Sequence, residues 1–62
     1  MNGTVKFFNR EKAFGFIVGE DGTDYFVHTS GLADGITITD NEDVTFDVED
    51  GERGLKAVNV QN

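Results

Sequence analysis

The sequence predicts an all-β domain, a five-stranded antiparallel barrel, and three observations carry that expectation. Five short segments rich in β-branched and aromatic residues are separated by Gly, Asp and Asn clusters that mark turns. The first three segments follow one another closely, a long connection comes next, and a final pair closes the chain. That order suits a five-stranded barrel better than a sandwich, which wants about seven strands. Closing the sheet also removes exposed edges, which a small domain can ill protect.

Strand one is expected over Thr4–Phe8, with Val5 inward and Lys6 outward. The adjacent Phe7 and Phe8 break simple alternation there, and strict parity from Val5 would bury Phe7. A bulge or strong coiling of the strand there would break that parity. Asn9 to Ala13 reads as a polar loop, and strand two as Phe14–Val18. Asp21-Gly22, a hairpin signal, then leads into strand three at Tyr25–His28. Thr29-Ser30-Gly31-Leu32 looks like a single turn that drops Leu32 onto the core. The connection to Asp43 is loop, and its Ile36 and Ile38 either pin it to the barrel or put one isoleucine on a functional face. Strand four, Val44–Glu49, alternates cleanly, with Val44, Phe46 and Val48 inward and Thr45, Asp47 and Glu49 outward. Asp50-Gly51 starts a turn, and strand five covers Lys56–Val60.

Side chains on a strand alternate faces, so Phe14 and Phe16 share one face while Ile17 takes the other. On strand three Phe26 and His28 share a face and Val27 opposes them. Antiparallel pairing with the aliphatics inward therefore gathers three phenylalanines and a histidine outside. Burying the rings instead would expose Ile17 and Val27 and strip Val44, Phe46 and Val48 of partners. Phenylalanine is a residue that small domains bury. An outer cluster of it implies a surface built to stack on something flat.

The pattern resembles the paired nucleic-acid-binding motifs of the cold-shock domain. In that family a Lys-Gly-Phe-Gly-Phe-Ile segment is followed by Val-Phe-Val-His-Phe. Here the counterparts are Lys12-Ala13-Phe14-Gly15-Phe16-Ile17 and Tyr25-Phe26-Val27-His28-Thr29. Gly3-Thr4-Val5-Lys6-Phe7-Phe8-Asn9 is similar to the family's first strand. Gly51-Glu52-Arg53-Gly54 with Ala57-Val58-Asn59-Val60 is similar to its close. The resemblance implies an OB-fold barrel and a non-enzymatic, RNA-chaperone-like binder of single-stranded RNA or DNA. It implies interface roles for Lys6, Phe7, Lys12, Phe14, Phe16, Asp24, Phe26, His28 and Arg53. Asp24 stands where the family hydrogen-bonds a base edge, though it could equally just end a turn. The chain departs from the family at Ala13, where glycine is usual and a tight backbone turn would be strained. It departs also at Phe7 for tryptophan, Thr29 for an aromatic and Leu55 for proline. A module that docks a protein on the same aromatic patch is the alternative. Basic residues rimming the rings would favour nucleic acid over it.

Composition bounds the rest. Sixty-two residues make one domain, which buries only about 60% of its unfolded surface. With no cysteine there is neither disulfide nor thiolate metal site, which suits a reducing cytoplasm. No apolar run approaches a membrane span, and the N-terminus lacks the pattern of a secretion signal. No cofactor, metal, membrane or small-molecule substrate is expected, and the chain is expected to act as a monomer. Asp24, His28 and Ser30 share a parity from which a catalytic triad can be drawn. Such a triad needs side chains within about 3 Å and an oxyanion site. Same-strand neighbours stand parallel and too far apart for that, so catalysis is set aside. A lone histidine with scattered carboxylates makes no metal site.

The net charge is −7, but its distribution matters more than its sum. From Gly19 to Glu52 lie eleven of the twelve acids and not one Lys or Arg. Lys6, Arg10, Lys12, Arg53 and Lys56 all lie outside that block, on or beside the strands that carry the rings. Acidic runs are ordinarily solvated faces. This one is more lopsided than solubility requires. It points to a salty cytoplasm, such as that of a halophilic archaeon, against the alternative of an acidic mesophilic protein.

Overall fold

The computed structural model describes residues 1–33, 36–52 and 54–62. Five strands form: β1 (Asn2–Asn9), β2 (Phe14–Gly19), β3 (Asp24–His28), β4 (Asp43–Gly51) and β5 (Gly54–Gln61). A 3-10 turn, Thr29–Gly31, follows β3. Each strand runs a little past the span that local sequence predicts, because barrel pairing extends into the flanking turn residues.

The strands close in the order β1-β2-β3-β5-β4. The barrel is antiparallel as expected except at one pair: β3 and β5 run parallel, Phe26 opposite Lys56 and Val27 opposite Ala57. The reason is arithmetic. Directions cannot alternate all the way round an odd number of strands, so a five-stranded closure contains a parallel pair.

The core is built from Val5, Ile17, Tyr25, Val27, Ile38, Val44, Phe46, Ala57 and Val60, with Phe8, Leu32 and Ile36 packed against it. Ile38 is fully buried and Ile36 half-buried, so both isoleucines pin the connection to the barrel. Strand four departs from the expected alternation. Val44 and Phe46 are buried, but Val48 is 39% exposed. β1 pairs with β4 only over Asp43–Thr45. Beyond that point, among the described residues, β4 pairs with β5 alone, and Val48 and Leu55 are exposed.

Two irregularities set which way the strands face. The register of β1 against β2 slips between Val5 and Phe7, so that Val5 opposes Ile17 and Phe7 opposes Phe16. The extra residue is Lys6, and the bulge sends Phe7 outward and Phe8 inward. The second slip lies between Thr45 and Asp47 of β4, opposite Asn59 of β5. Asn59 adopts φ 54°, a left-handed conformation that asparagine tolerates better than most residues. It moves the buried parity of β5 from Ala57 to Val60.

The turns follow their residues. Gly22, at φ 81°, supplies the left-handed step of the β2–β3 turn. Asp21 ties that turn to the core: one carboxylate oxygen accepts from the Thr23 amide and the other from the Tyr25 hydroxyl at 2.8 Å. These hydrogen bonds, the tyrosine's first, hold the Asp21 carboxyl below its ordinary pKa. The same bond pushes the Tyr25 phenol up. In the β1–β2 loop the Asn9 carboxamide accepts from the Glu11 and Lys12 amides, and Ala13 is forced to φ 62°.

That last angle makes a prediction. A Cβ in the left-handed region costs about 1–2 kcal/mol. Ala13→Gly is therefore expected to stabilise the fold by roughly 0.5–1 kcal/mol, after the glycine's added chain entropy. A chemical-denaturation midpoint that falls or stays put would contradict it.

Candidate nucleic-acid interface

Antiparallel pairing of β2 and β3 sets Phe14 opposite His28 and Phe16 opposite Phe26. The four residues share the outer face, while Ile17 and Val27 of the same strands are fully buried. The rings touch one another. Phe26 stacks on Phe14 with centroids 5.8 Å apart and meets Phe16 edge-on at 5.8 Å. The β1 bulge brings in Phe7, 5.7 Å from Phe16 and 38% exposed. Aromatic pairs at these spacings support one another by edge and offset contacts. The result is a continuous patch of four rings across β1, β2 and β3.

Polar groups surround it. Lys6, exposed at the bulge, reaches over β2 to place its Nζ 3.2 Å from Asp24 Oδ2 on β3. Two residues expected at the interface thus meet each other. Lys12 is exposed in the loop that leads into Phe14. Arg53, also expected there, lies outside the described residues. His28 caps the 3-10 turn: its Nδ1 accepts from the Ser30 amide at 3.2 Å and lies 3.0 Å from Ser30 Oγ. An Nδ1 that accepts leaves the proton of the neutral ring on Nε2, which the exposed imidazole offers outward.

The His28–Ser30 contact arises because Ser30 lies in the turn, as expected, and not on the strand. The turn folds Ser30 back onto the ring. Asp24 does not complete a triad, for it sits at the other end of β3 in its pair with Lys6. Among the described residues no cluster of His, Cys, Asp and Glu could hold a metal ion. No described helix is long and apolar enough to cross a membrane.

Lys56 was not among the residues expected at the site. It lies beside Phe26 through the parallel β3–β5 pairing, and its Nζ is 3.8 Å from Glu49 Oε1 across the β4–β5 hairpin. A depression of about 610 Å³, lined by Phe26, His28, Ser30, Lys56 and Asn59 among others, continues the ring face onto β5. No local signal marks Lys56, because its neighbour across the sheet is thirty positions earlier in the chain. Beside it, sharing Leu32 and Ala33, a smaller hollow is lined by Phe8, Arg10, Thr29 and Ile36 among others.

The described basic residues near the rings thus flank them, Lys6 and Lys12 on one side and Lys56 on the other. The chemistry available is stacking on flat rings with cationic and hydrogen-bonding groups at their margin. Residues 1–62 match the family described as the 'Cold-shock' DNA-binding domain. The chain is 58% identical over 62 residues to Cold shock protein 2 of Lactiplantibacillus plantarum, covering 97% of this chain and 94% of that protein. It is 54% identical over 61 residues to Cold shock protein CspC of Bacillus subtilis, covering 95% and 92%. The Major cold shock protein of Streptococcus pyogenes is 52% identical over 60 residues, at 94% and 90%.

Proposed function

The chain belongs to the cold-shock domain family, whose members are non-enzymatic nucleic-acid binders, and from that premise we propose that it binds single-stranded RNA or DNA by stacking bases on Phe7, Phe14, Phe16 and Phe26. The observation that carries this is the outward ring patch with lysines at its margins. Stacking on an aromatic ring is worth about 1–3 kcal/mol per base and accepts any base, since each has a π-face. Phenylalanine cannot hydrogen-bond, so discrimination among bases falls to the margin. Lys6, Lys12, Arg53 and Lys56 would meet phosphates, and His28 would meet a base edge. By trapping unpaired segments the domain would melt weak RNA structure without ATP, in the cytoplasm and as a monomer. Acids along β4, Asp47, Glu49 and Asp50, support the last point, because charged edges discourage strand pairing between copies. Lysines flanking the rings favour nucleic acid over a docked protein.

Titration with oligo-dT, oligo-U and a duplex of equal length tests the proposal. With about three to five basic contacts the log–log salt slope on a single strand should be roughly −2 to −3.5. Duplex should bind far more weakly, its bases being already stacked. A preference for duplex would overturn the mechanism.

Adaptation to a saline cytoplasm rests on charge alone. Crowded acids repel one another and disfavour the compact state. Salt shortens the Debye length from about 10 Å at 0.1 M to about 3 Å at 1 M, relieving that repulsion. The melting temperature should therefore climb in KCl, with sucrose as the control for general exclusion effects. A flat profile between about 0.1 and 3 M would remove the reading; for scale, the screening argument is spent by about 1 M.

A further inference from the structure

We propose that Glu49 and Asp24 act as a charge filter on the ring face, suppressing phosphate-driven binding and so setting the preference for unpaired over duplex nucleic acid. The inference rests on reading that face as the nucleic-acid interface. Two ion pairs form among the described residues, and both involve lysines beside the rings. Lys6 sits at the bulge next to Phe7 and faces Asp24 at 3.2 Å. Lys56 sits beside Phe26 and faces Glu49, its direct cross-strand neighbour, at 3.8 Å. One pair spans β1 to β3 and the other joins β5 to β4.

A lysine that already faces a carboxylate brings little net charge to a phosphate. To make the contact it must exchange one anion for another, leaving the carboxylate beside the phosphate. Exposed pairs are weak enough to exchange. The exchange nevertheless takes a share from every phosphate contact on these flanks. A single strand offsets that loss with stacking. A duplex cannot: its bases are paired, and it presents one charge per about 1.7 Å of axis to the same carboxylates. The filter therefore weakens duplex binding more, and discrimination comes from a repulsive element as well as an attractive one.

The test is a mutant cycle read by anisotropy with labelled oligo-dT and a labelled duplex of equal length. The chains are the unsubstituted protein, Glu49→Gln, Lys56→Gln and the double variant, with Asp24→Asn alongside. Glu49→Gln should raise duplex affinity by about two- to fivefold and single-strand affinity by less. The gain should vanish in the Lys56→Gln background. The single-strand salt slope should steepen by up to about 0.7. Asp24→Asn should shift the same ratio in the same direction. Equal gains on both ligands, or a gain that survives removal of Lys56, would overturn the filter. So would Asp24→Asn losing single-strand affinity with duplex unchanged, for Asp24 would then act as a base acceptor. If the unsubstituted chain binds no single strand, the function proposed above fails and the filter with it. If it binds but the variants are flat, the filter alone fails.

Discussion

Phe26→Ala is expected to cost about 1–3 kcal/mol of single-strand binding, roughly a five- to 150-fold loss, while the domain stays folded. Phe26 should sit at the upper end of that range. Among the described residues it is the one ring in contact with both Phe14 and Phe16, at 5.8 Å each, so its removal takes away a platform and also the support of two others. Phe14→Ala should lose less, because the Phe16–Phe26 and Phe7–Phe16 contacts remain. Neither ring belongs to the core, which lies on the opposite face with Ile17, Val27 and Val44. Circular dichroism and a melt establish folding, and calorimetry with oligo-dT reads affinity. Two folded variants with unchanged affinity would end the stacking account.

Gly15→Ala should act on the fold itself, and strongly. A Cβ at Gly15 would stand 2.2 Å from the Phe7 carbonyl oxygen and 2.7 Å from Phe8 Cα. Both atoms are backbone of β1, so no rotamer change can relieve the overlap. β1 would have to move away from β2, straining the pairing that places Phe7 opposite Phe16 and Phe8 opposite Gly15. Overpacking a tight site costs about 1–3 kcal/mol, occasionally more. By the usual scale of 0.05–0.15 kcal/mol per residue, a domain of this size has only about 3–9 kcal/mol to lose. The variant should melt far below the unsubstituted chain. Whatever stays folded should bind weakly, because Lys6 and Phe7 ride on the displaced strand. Gly22→Ala offers the contrast: its Cβ meets nothing within 4 Å, so only the φ of 81° opposes it. A Gly15→Ala protein as stable as its parent would show that β1 and β2 are not held this closely.

The sequence by itself determined the outer ring patch on β2 and β3. Alternation with period two is a local property, and Phe14, Phe16, Phe26 and Val27 each fall where parity puts them. It also determined the turn at Asp21-Gly22, the strain at Ala13 and the family, through motifs spread along the whole chain. Phe7 was legible only as a conflict between parity and resemblance, and the bulge at Lys6 resolved it. Tertiary structure alone decided the rest. It put Lys56 beside Phe26, joined Lys6 to Asp24 over an intervening strand, turned Ser30 onto His28 and left Val48 exposed. Each of these depends on strand pairing or chain closure rather than on a run of neighbours. A single inserted residue, at Lys6 or at Asn59, reverses the facing of everything beyond it. Odd-strand closure requires one parallel pair, and the strand order makes it β3 with β5, which sets Lys56 beside Phe26.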